Sequence, residues 1–534
     1  MKRVILLSLL NGLLTNLFAQ DSLRLTLLNN EQWWGGSSNY GHLMPFHAKD
    51  YAANLYGDIS VNQSTPLFIS SAGRWVWSDE PFAYRFIKDT LIINKAHGRI
   101  QSGQAGNSLA TAYSFVSKTF FPTSGKWIDS LLIKSPEYNL WIELGYHPNQ
   151  RAVLNYANDA LKNNYPPGVL MIDDNWTDYY GQFDFNRDRF PDAAALIDSL
   201  HRKGFKVMVW ICPFISPDSE TFRELMQKRL LLLDNGGDTT MAWNDKKAKP
   251  LITYWWNGFS ATLDLSNPAA QQWLKDKLHW LQKTYGIDGF KFDAGEPHYY
   301  DYPQLLSFKK SSPNEHCMYW AQIGLDFPFN EYRAMWKMSG QPLGQRLNDK
   351  AHTWSDLQTL IPNTIAQQLM GYTFTCPDII GGGFLASFAP GKKIDQQLIV
   401  RSAQCHALMP MMQFSAAPWR ILDPVNEQAV HKAVELRQHY VNYIMEVMRQ
   451  SAATGEPALR PLEFNYPNQG YAAVQDQFLL GNRLMVAPVV TSNNTRTVLV
   501  PKGKWRFRGS FIKGPMKQTI EVAPDELPVY EKVD

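Results

Sequence analysis

Gly168-Val-Leu-Met-Ile-Asp-Asp174 is an unbroken apolar run that stops on two acids. A run this short and this apolar reads as a strand buried on both faces. The same unit recurs outward from it. Arg151 to Asn163 reads as a helix before it, and Pro191 to Lys203 as a helix after it. Phe205-Lys-Val-Met-Val-Trp-Ile211 is a second buried strand, followed by a helix over roughly Ser219 to Leu233. Ala261-Thr-Leu-Asp264 reads as a short strand, Pro268 to Tyr285 as a helix with proline in its first turn, and Gly289-Phe-Lys-Phe-Asp293 as another strand. Thr353-Trp-Ser-Asp356 precedes a helix to Met370, and Tyr372–Cys376 and Pro410–Phe414 are strands. Helix Asn426–Met448 closes the series. Alternating β and α units predict an α/β fold with a parallel sheet and helices outside. About eight strand slots predict a closed (β/α)8 barrel over residues 147–455. No G-x-G-x-x-G follows the first strand, which argues against an open nucleotide-binding sheet.

The flanks read differently. Residues 20–146 are expected to form an N-terminal β-sandwich, with strands such as Leu67–Ser71, Thr90–Asn94 and Leu131–Lys134 and no strong helical period. Residues 456–534 are expected to form a small C-terminal β-domain, with strands near 478–480, 484–487 and 497–500 and a turn at Pro501–Trp505. Met1-Lys-Arg3, a short apolar run and Ala19-Gln20 read as a signal peptide over residues 1–19, cut after Ala19. That run is too short for a membrane span, and no other stretch reaches spanning length. The expectation is an exported protein, periplasmic or extracellular in a bacterial host.

The 534 residues carry a formal net charge of +3, which argues against a dedicated nucleic-acid binder. The 18 Trp, 24 Tyr and 28 Phe fit either a large core or flat walls for the C–H faces of sugars. Cys212, Cys317, Cys376 and Cys405 form no CxxC pair, so no zinc ribbon is expected, and buried free thiols are the reading for most of them. Asp184-Phe-Asn-Arg-Asp188 starts like a calcium loop but has Arg189 and Ala195 where glycine and glutamate belong. No metal and no cofactor are expected. Sequons stand at Asn62, Asn175 and Asn493, and His298 and His406 are read as structural or surface residues.

Several expected strands end in acids: Asp173 and Asp174, Asp264, Asp293, Asp356 and Asp378. One such acid is commonly a helix N-cap. A set of them at the carboxyl ends of barrel strands converges on one pocket, here together with Trp176, Trp210 and Trp354. Glycoside hydrolysis needs two carboxyls, about 5–5.5 Å apart in retaining enzymes and about 6.5–9.5 Å apart in inverting ones. Asp293 suits the nucleophile, because Lys291 lies on the same strand face and keeps it ionised. Glu296 suits a helix cap or a sugar ligand, and Asp356, after Trp354, suits the acid/base.

Gly289-Phe-Lys-Phe-Asp-Ala-Gly-Glu296 resembles the nucleophile motif of glycoside hydrolase family 31. Phe205–Pro213, Leu263–Pro268, Thr353–Asp356, Gly371–Gly382 and Arg460-Pro461 with Gly481–Pro488 resemble further elements of that family in order. The resemblance implies a retaining exo-α-glycosidase with Asp293 as nucleophile. By motif position it implies Asp173 at the sugar hydroxyls, with Asp174 and Trp176 beside it. It implies Lys291 and Arg346 near the same sugar, Trp210 and Trp354 in the wall, and Asp378 ordering the rim. Trp354-Ser-Asp356 is one residue shorter than the family's Trp-x-Gly-Asp, which leaves Asp349 as the other candidate acid/base. Lys291–Glu296, Leu360-Ile-Pro362, Pro377–Gly382 and Trp33-Trp-Gly-Gly36 resemble the branch of the myogenesis-regulating glycosidase and its bacterial relatives. That branch implies an α-galactosidase acting on oligosaccharides or other α-glycosides, with α-glucosidase or α-xylosidase next. Trp33 and Trp34 either reach into the pocket or pad a domain interface. A non-catalytic sugar-binding protein on the same scaffold is the reading from another class.

Overall fold

The computed structural model describes residues 21–47 and 50–533; the expected signal peptide lies outside them. Eight parallel strands form the central sheet: β1 Glu137–Asn139, β2 Val169–Ile172, β3 Lys206–Ile211, β4 Gly289–Phe292, β5 Phe329–Tyr332, β6 Gly344–Arg346, β7 Phe374–Cys376 and β8 Gln413–Phe414. They are hydrogen-bonded in the order β7-β6-β5-β4-β3-β2-β1-β8. A parallel bridge between Ile379 and Gln413 brings the two edges together into a near-closed barrel. Strands of only a few residues suffice because they pair along one sheet and are almost wholly buried. The outer ring includes helices Gln150–Lys162, Ala193–Arg202, Pro268–Tyr285, Pro313–Ile323, Trp354–Leu369, Gln396–Ala407 and Pro424–Thr454.

The structure corrects the strand assignment in four places. The parallel sheet starts at Glu137, upstream of the boundary expected at 147. Strands β5 and β6 carry Asn330, Glu331, Gln345 and Arg346 on their buried length, so they do not read as apolar runs. Ala261 and Thr262 belong to an antiparallel sheet outside the barrel, where Gly258–Thr262 pairs with Ile252–Trp255 and Phe214–Ile215. Thr353 is the N-cap of helix Trp354–Leu369, so Asp356 stands in a first helical turn and not at a strand end.

The N-terminal region is a sandwich of two antiparallel sheets. One holds Leu23–Thr26, Thr90–Asn94, Ala83–Ile87 and Tyr51–Asn54; the other holds Trp33–Ser37, Gln63–Ser70, Arg74–Ser78 and Ile100–Gln104. Phe46, Phe68, Tyr84 and Phe86 fill the space between them. The region also contains helix Leu109–Phe120, where no helix was expected, and Leu131–Lys134 is a helical turn, not a strand. Ser108 and Thr111 cap the first helix reciprocally. The C-terminal domain is one six-stranded antiparallel sheet. Its strand Thr495–Phe507 runs through the turn expected at Pro501–Trp505 and absorbs the proline as a bulge between Val500 and Gly503. All four cysteines are buried free thiols.

Candidate active site

The period of two along β4 and beyond decides the floor of the site. Lys291 and Asp293 face one way, while Phe292 faces the other and stacks on Tyr332 at 4.4 Å. Beyond Asp293 the chain turns sharply, with Ala294 at φ 58° and Gly295 at φ 78°. A Cβ on Gly295 would lie 2.4 Å from Trp320, so this turn requires glycine. Asp293 Oδ2 accepts from Trp210 Nε1 at 2.9 Å, and its Oδ1 accepts from the Ala294 amide at 3.0 Å. Arg333 Nε lies 3.4 Å from Oδ1 and Lys291 Nζ lies 3.9 Å from Oδ2. Burial alone would raise the Asp293 pKa, but Arg333, Lys291 and Arg346 outweigh it and hold the carboxyl well below its ordinary range. Lys291 Nζ also pairs with Asp173 Oδ2 at 2.7 Å. Burial disfavours the ammonium, yet Asp173 and Asp293 raise its pKa overall.

Asp174 sits beside this cluster. Its carboxylate accepts from the Asn175 amide at 2.6 Å, Asn257 Nδ2 at 2.8 Å and Tyr180 Oη at 3.3 Å. Burial, then the charge of Asp173, pushes its pKa up to about 7.

A cavity of about 950 Å³ opens over these groups. Asp173, Asp174, Trp210, Lys291 and Asp293 line it together, with Trp256, Arg333 and Asp349. Its remaining walls come from residues 141–147 and from 384–390. Arg333 and Trp256 were not singled out in the sequence. Arg333 follows a strand without an apolar signature, and Trp256 follows a strand outside the barrel. The Arg333 guanidinium lies 4.5 Å from the Trp256 ring centre and binds Glu296.

Other expected residues lie elsewhere. Glu296 is fully buried as the partner of Arg333 and does not line the cavity. Arg346 lies a layer below, with Nη1 2.7 Å from Asp349 Oδ1 and 2.8 Å from Asp378 Oδ1. Asp378 has φ 84° and accepts from the amides of Lys350 and Gly383 at 2.8 and 3.1 Å, tying down the loop that starts the 384–390 wall. Trp176 stands behind Trp210, donating to its carbonyl at 2.7 Å. Trp33 and Trp34 are buried in the sandwich core, so they do not reach the cavity. Asp356 does not line it either: its carboxylate accepts from the Ala351 amide at 2.5 Å, and Trp354 Nε1 donates to Asp395 at 2.9 Å. Asp349, by contrast, lines the cavity together with Asp293, Asp173, Asp174 and Glu143.

An acid-lined cavity with tryptophans in its walls thus opens at the carboxyl end of a (β/α)8 barrel flanked by two β-domains, the place where barrel enzymes carry their active sites. The chain belongs to glycosyl hydrolase family 31: residues 137–447 match the TIM-barrel domain of that family and residues 455–534 match its C-terminal domain. It is 30% identical to the myogenesis-regulating glycosidase of Mus musculus over 78% of this chain and 58% of that protein. It is 25% identical to an α-xylosidase of Lactiplantibacillus pentosus (90% and 63%) and 24% identical to an α-glucosidase of Bacillus thermoamyloliquefaciens (73% and 52%). The chain thus spans between about half and two thirds of these relatives' length. The fold is shared with a Flavobacterium johnsoniae dextranase of the same family, solved with glucose, at a TM-score of 0.81 and 20% identity over 96% of this chain and 66% of that one.

Proposed function

We propose that this protein is an exported retaining exo-α-glycosidase that hydrolyses terminal α-galactosides. The observation that carries the reading is a cavity lined by several carboxyls, among them Asp349 and an Asp293 held ionised by Arg333, Lys291 and Arg346. Asp293 attacks the anomeric carbon, and Asp349 gives a proton to the departing glycosidic oxygen. A covalent glycosyl ester on Asp293 results. Asp349 then takes a proton from water, which opens the ester and restores the α-anomer. Asp173 and Lys291 accept from and donate to the sugar hydroxyls, and Trp210 and Trp256 supply flat walls. Asp349 takes the role expected for Asp356 because Asp349 faces the cavity.

The galactoside preference rests on motifs shared with the branch of the 30%-identical mouse relative; the α-glucosidase and α-xylosidase relatives are less similar. The test is a panel of p-nitrophenyl α-glycosides of galactose, glucose, xylose and sulfoquinovose, with the released anomer read by NMR. Release of α-galactose from the galactoside is expected, together with a loss on the order of 10⁴-fold in kcat for Asp293→Ala. Preferred release of glucose or xylose assigns the chain to those substrates. Release of the β-anomer removes the covalent mechanism. No turnover of any aryl glycoside, with sugar still bound, makes it a binding protein.

A further inference from the structure

The cavity walls named so far come from the barrel and its loops, yet the N-terminal sandwich meets the barrel directly behind them. Strand Gln63–Ser70 pairs in parallel with Met335–Trp336, just beyond β5. Asn62 and Gln63, at its start, are 1% and 0% exposed. Gln63 Nε2 donates to the carbonyl of Arg333 at 2.6 Å and to that of Arg346 at 3.0 Å. Asn62 Nδ2 donates to the Arg333 carbonyl at 3.1 Å, and Asn62 Oδ1 accepts from the Asn348 amide at 3.0 Å. Gln63 Oε1 is itself fixed by Gln367 Nε2 at 2.5 Å and Ser38 Oγ at 3.1 Å.

The backbone groups held in this way are not arbitrary. Arg333 clamps Asp293, Arg346 binds Asp349, and Asn348 immediately precedes Asp349. Here the barrel wall is thin: β5 and β6 pair in register at one position, Tyr332 with Gln345. Past that point the two side-chain amides bridge strand ends that the sheet's own hydrogen bonds do not join. Neither amide lines the cavity. Asn62 also heads a sequon, but its nitrogen is buried and donating, so the folded chain offers no acceptor there.

We propose that Asn62 and Gln63 are positioning residues that set Asp349 against Asp293, which makes the N-terminal sandwich a working part of the site. The proposal rests on the roles given above to Asp293 and Asp349. Displacing a proton donor hurts most where the leaving group needs the proton, whereas a general loss of fold slows all substrates alike.

The full-length chain with Asn62→Ala is compared with wild type on two α-glycosides of the preferred sugar, a 2,4-dinitrophenyl glycoside and a disaccharide. Asp349→Ala serves as the benchmark. Asn62→Ala is expected to lower kcat about 30-fold on the disaccharide and less than about 5-fold on the dinitrophenyl glycoside, with KM little changed. Gln63→Met, close in volume and without donors, should do the same and replaces Asn62→Ala if that variant does not fold. Equal losses on both substrates that track a lowered melting temperature overturn the proposal. So does failure of both variants to fold, which makes the amides foundations of the barrel and nothing more. If Asp349→Ala shows the split and the Asn62 and Gln63 variants do not, positioning alone is wrong. If Asp349→Ala shows no split, the acid/base assignment falls and this inference falls with it.

Discussion

Asp349 and Asp356 occupy one loop–helix segment, but a helix start separates their environments. Asp356 caps the Ala351 amide from the first turn of helix Trp354–Leu369, where a carboxylate also favours the helix dipole. Asp356→Ala should therefore cost about 1 kcal/mol of stability by chemical denaturation and leave kcat within about 3-fold of wild type. A loss matching that of Asp349→Ala would return the acid/base role to Asp356. Asp174 makes the second prediction. Its pKa lies near 7 in the fold against an ordinary value of 3.8, so the folded chain binds the extra proton between those values. Its contribution is then fully present at low pH and is lost as pH rises towards 7, by at most about 4 kcal/mol. Asp174→Asn should flatten that part of the stability–pH curve, read by urea titrations from pH 4 to 8; an unchanged slope would refute it. Asp293 and Lys291 were legible in the sequence because a strand's period of two puts them on one face. Asp349 was visible only as the alternative, because its neighbours Asn348 and Lys350 give no strand or cap signal.

At the scale of elements, the strands that escaped the sequence are those with polar interiors. Gln413 Nε2 on β8 donates to Glu137 Oε2 on β1 at 2.6 Å and to Glu331 Oε2 on β5 at 2.7 Å, and Asn139 Nδ2 donates to Gln413 Oε1 at 3.1 Å. Strands joined across the barrel by side-chain hydrogen bonds do not need apolar residues on that face, so a search for hydrophobic runs passes over them. The helix at Leu109–Phe120 was missed for a related reason: Ser114, Ser117 and Thr119 are weak helix formers, and the reciprocal cap at Ser108 offsets them. Burial, then the charge of Glu331, drives the Glu137 pKa far above its ordinary range, which favours its neutral form. Glutamine mimics that neutral acid. Glu137→Gln should change stability by less than about 1 kcal/mol, whereas Glu137→Ala should cost about 3 kcal/mol through the cavity and an unpaired Gln413 donor. Thermal and urea unfolding of the two variants separate the cases; a Gln variant as damaged as the Ala variant would mean that Glu137 is ionised.

At the scale of the molecule, one apolar core runs from Leu27 in the sandwich through the barrel to Leu527 in the C-terminal domain, which keeps a second cluster of its own around Trp505 and Tyr530. Among the described residues no helix is long and apolar enough to cross a membrane. A close seam lies between the N-terminal region and helix Trp354–Leu369. Gly41 there lies so near the helix that a Cβ would stand 2.3 Å from the Pro362 carbonyl oxygen and 2.6 Å from the Asn363 Cα. Pro362 interrupts the helix's own hydrogen bonding, and Asn363 Oδ1 accepts from the His42 amide at 2.9 Å across the seam. The sequence showed the proline and the glycine but could not show that they meet, because no local pattern encodes contacts between residues so far apart. Backbone on both sides leaves no flexible group to yield, so Gly41→Ala must push the two units apart, at a cost of about 1–3 kcal/mol. A shared core also predicts that wild type melts in a single calorimetric transition, and that Gly41→Ala lowers its midpoint without splitting it. A separate, unshifted barrel transition in that variant would show instead that the sandwich and barrel fold as independent units. Asn62 and Gln63 would then be held by the sandwich alone, and activity would be lost at the first transition, before the barrel melts.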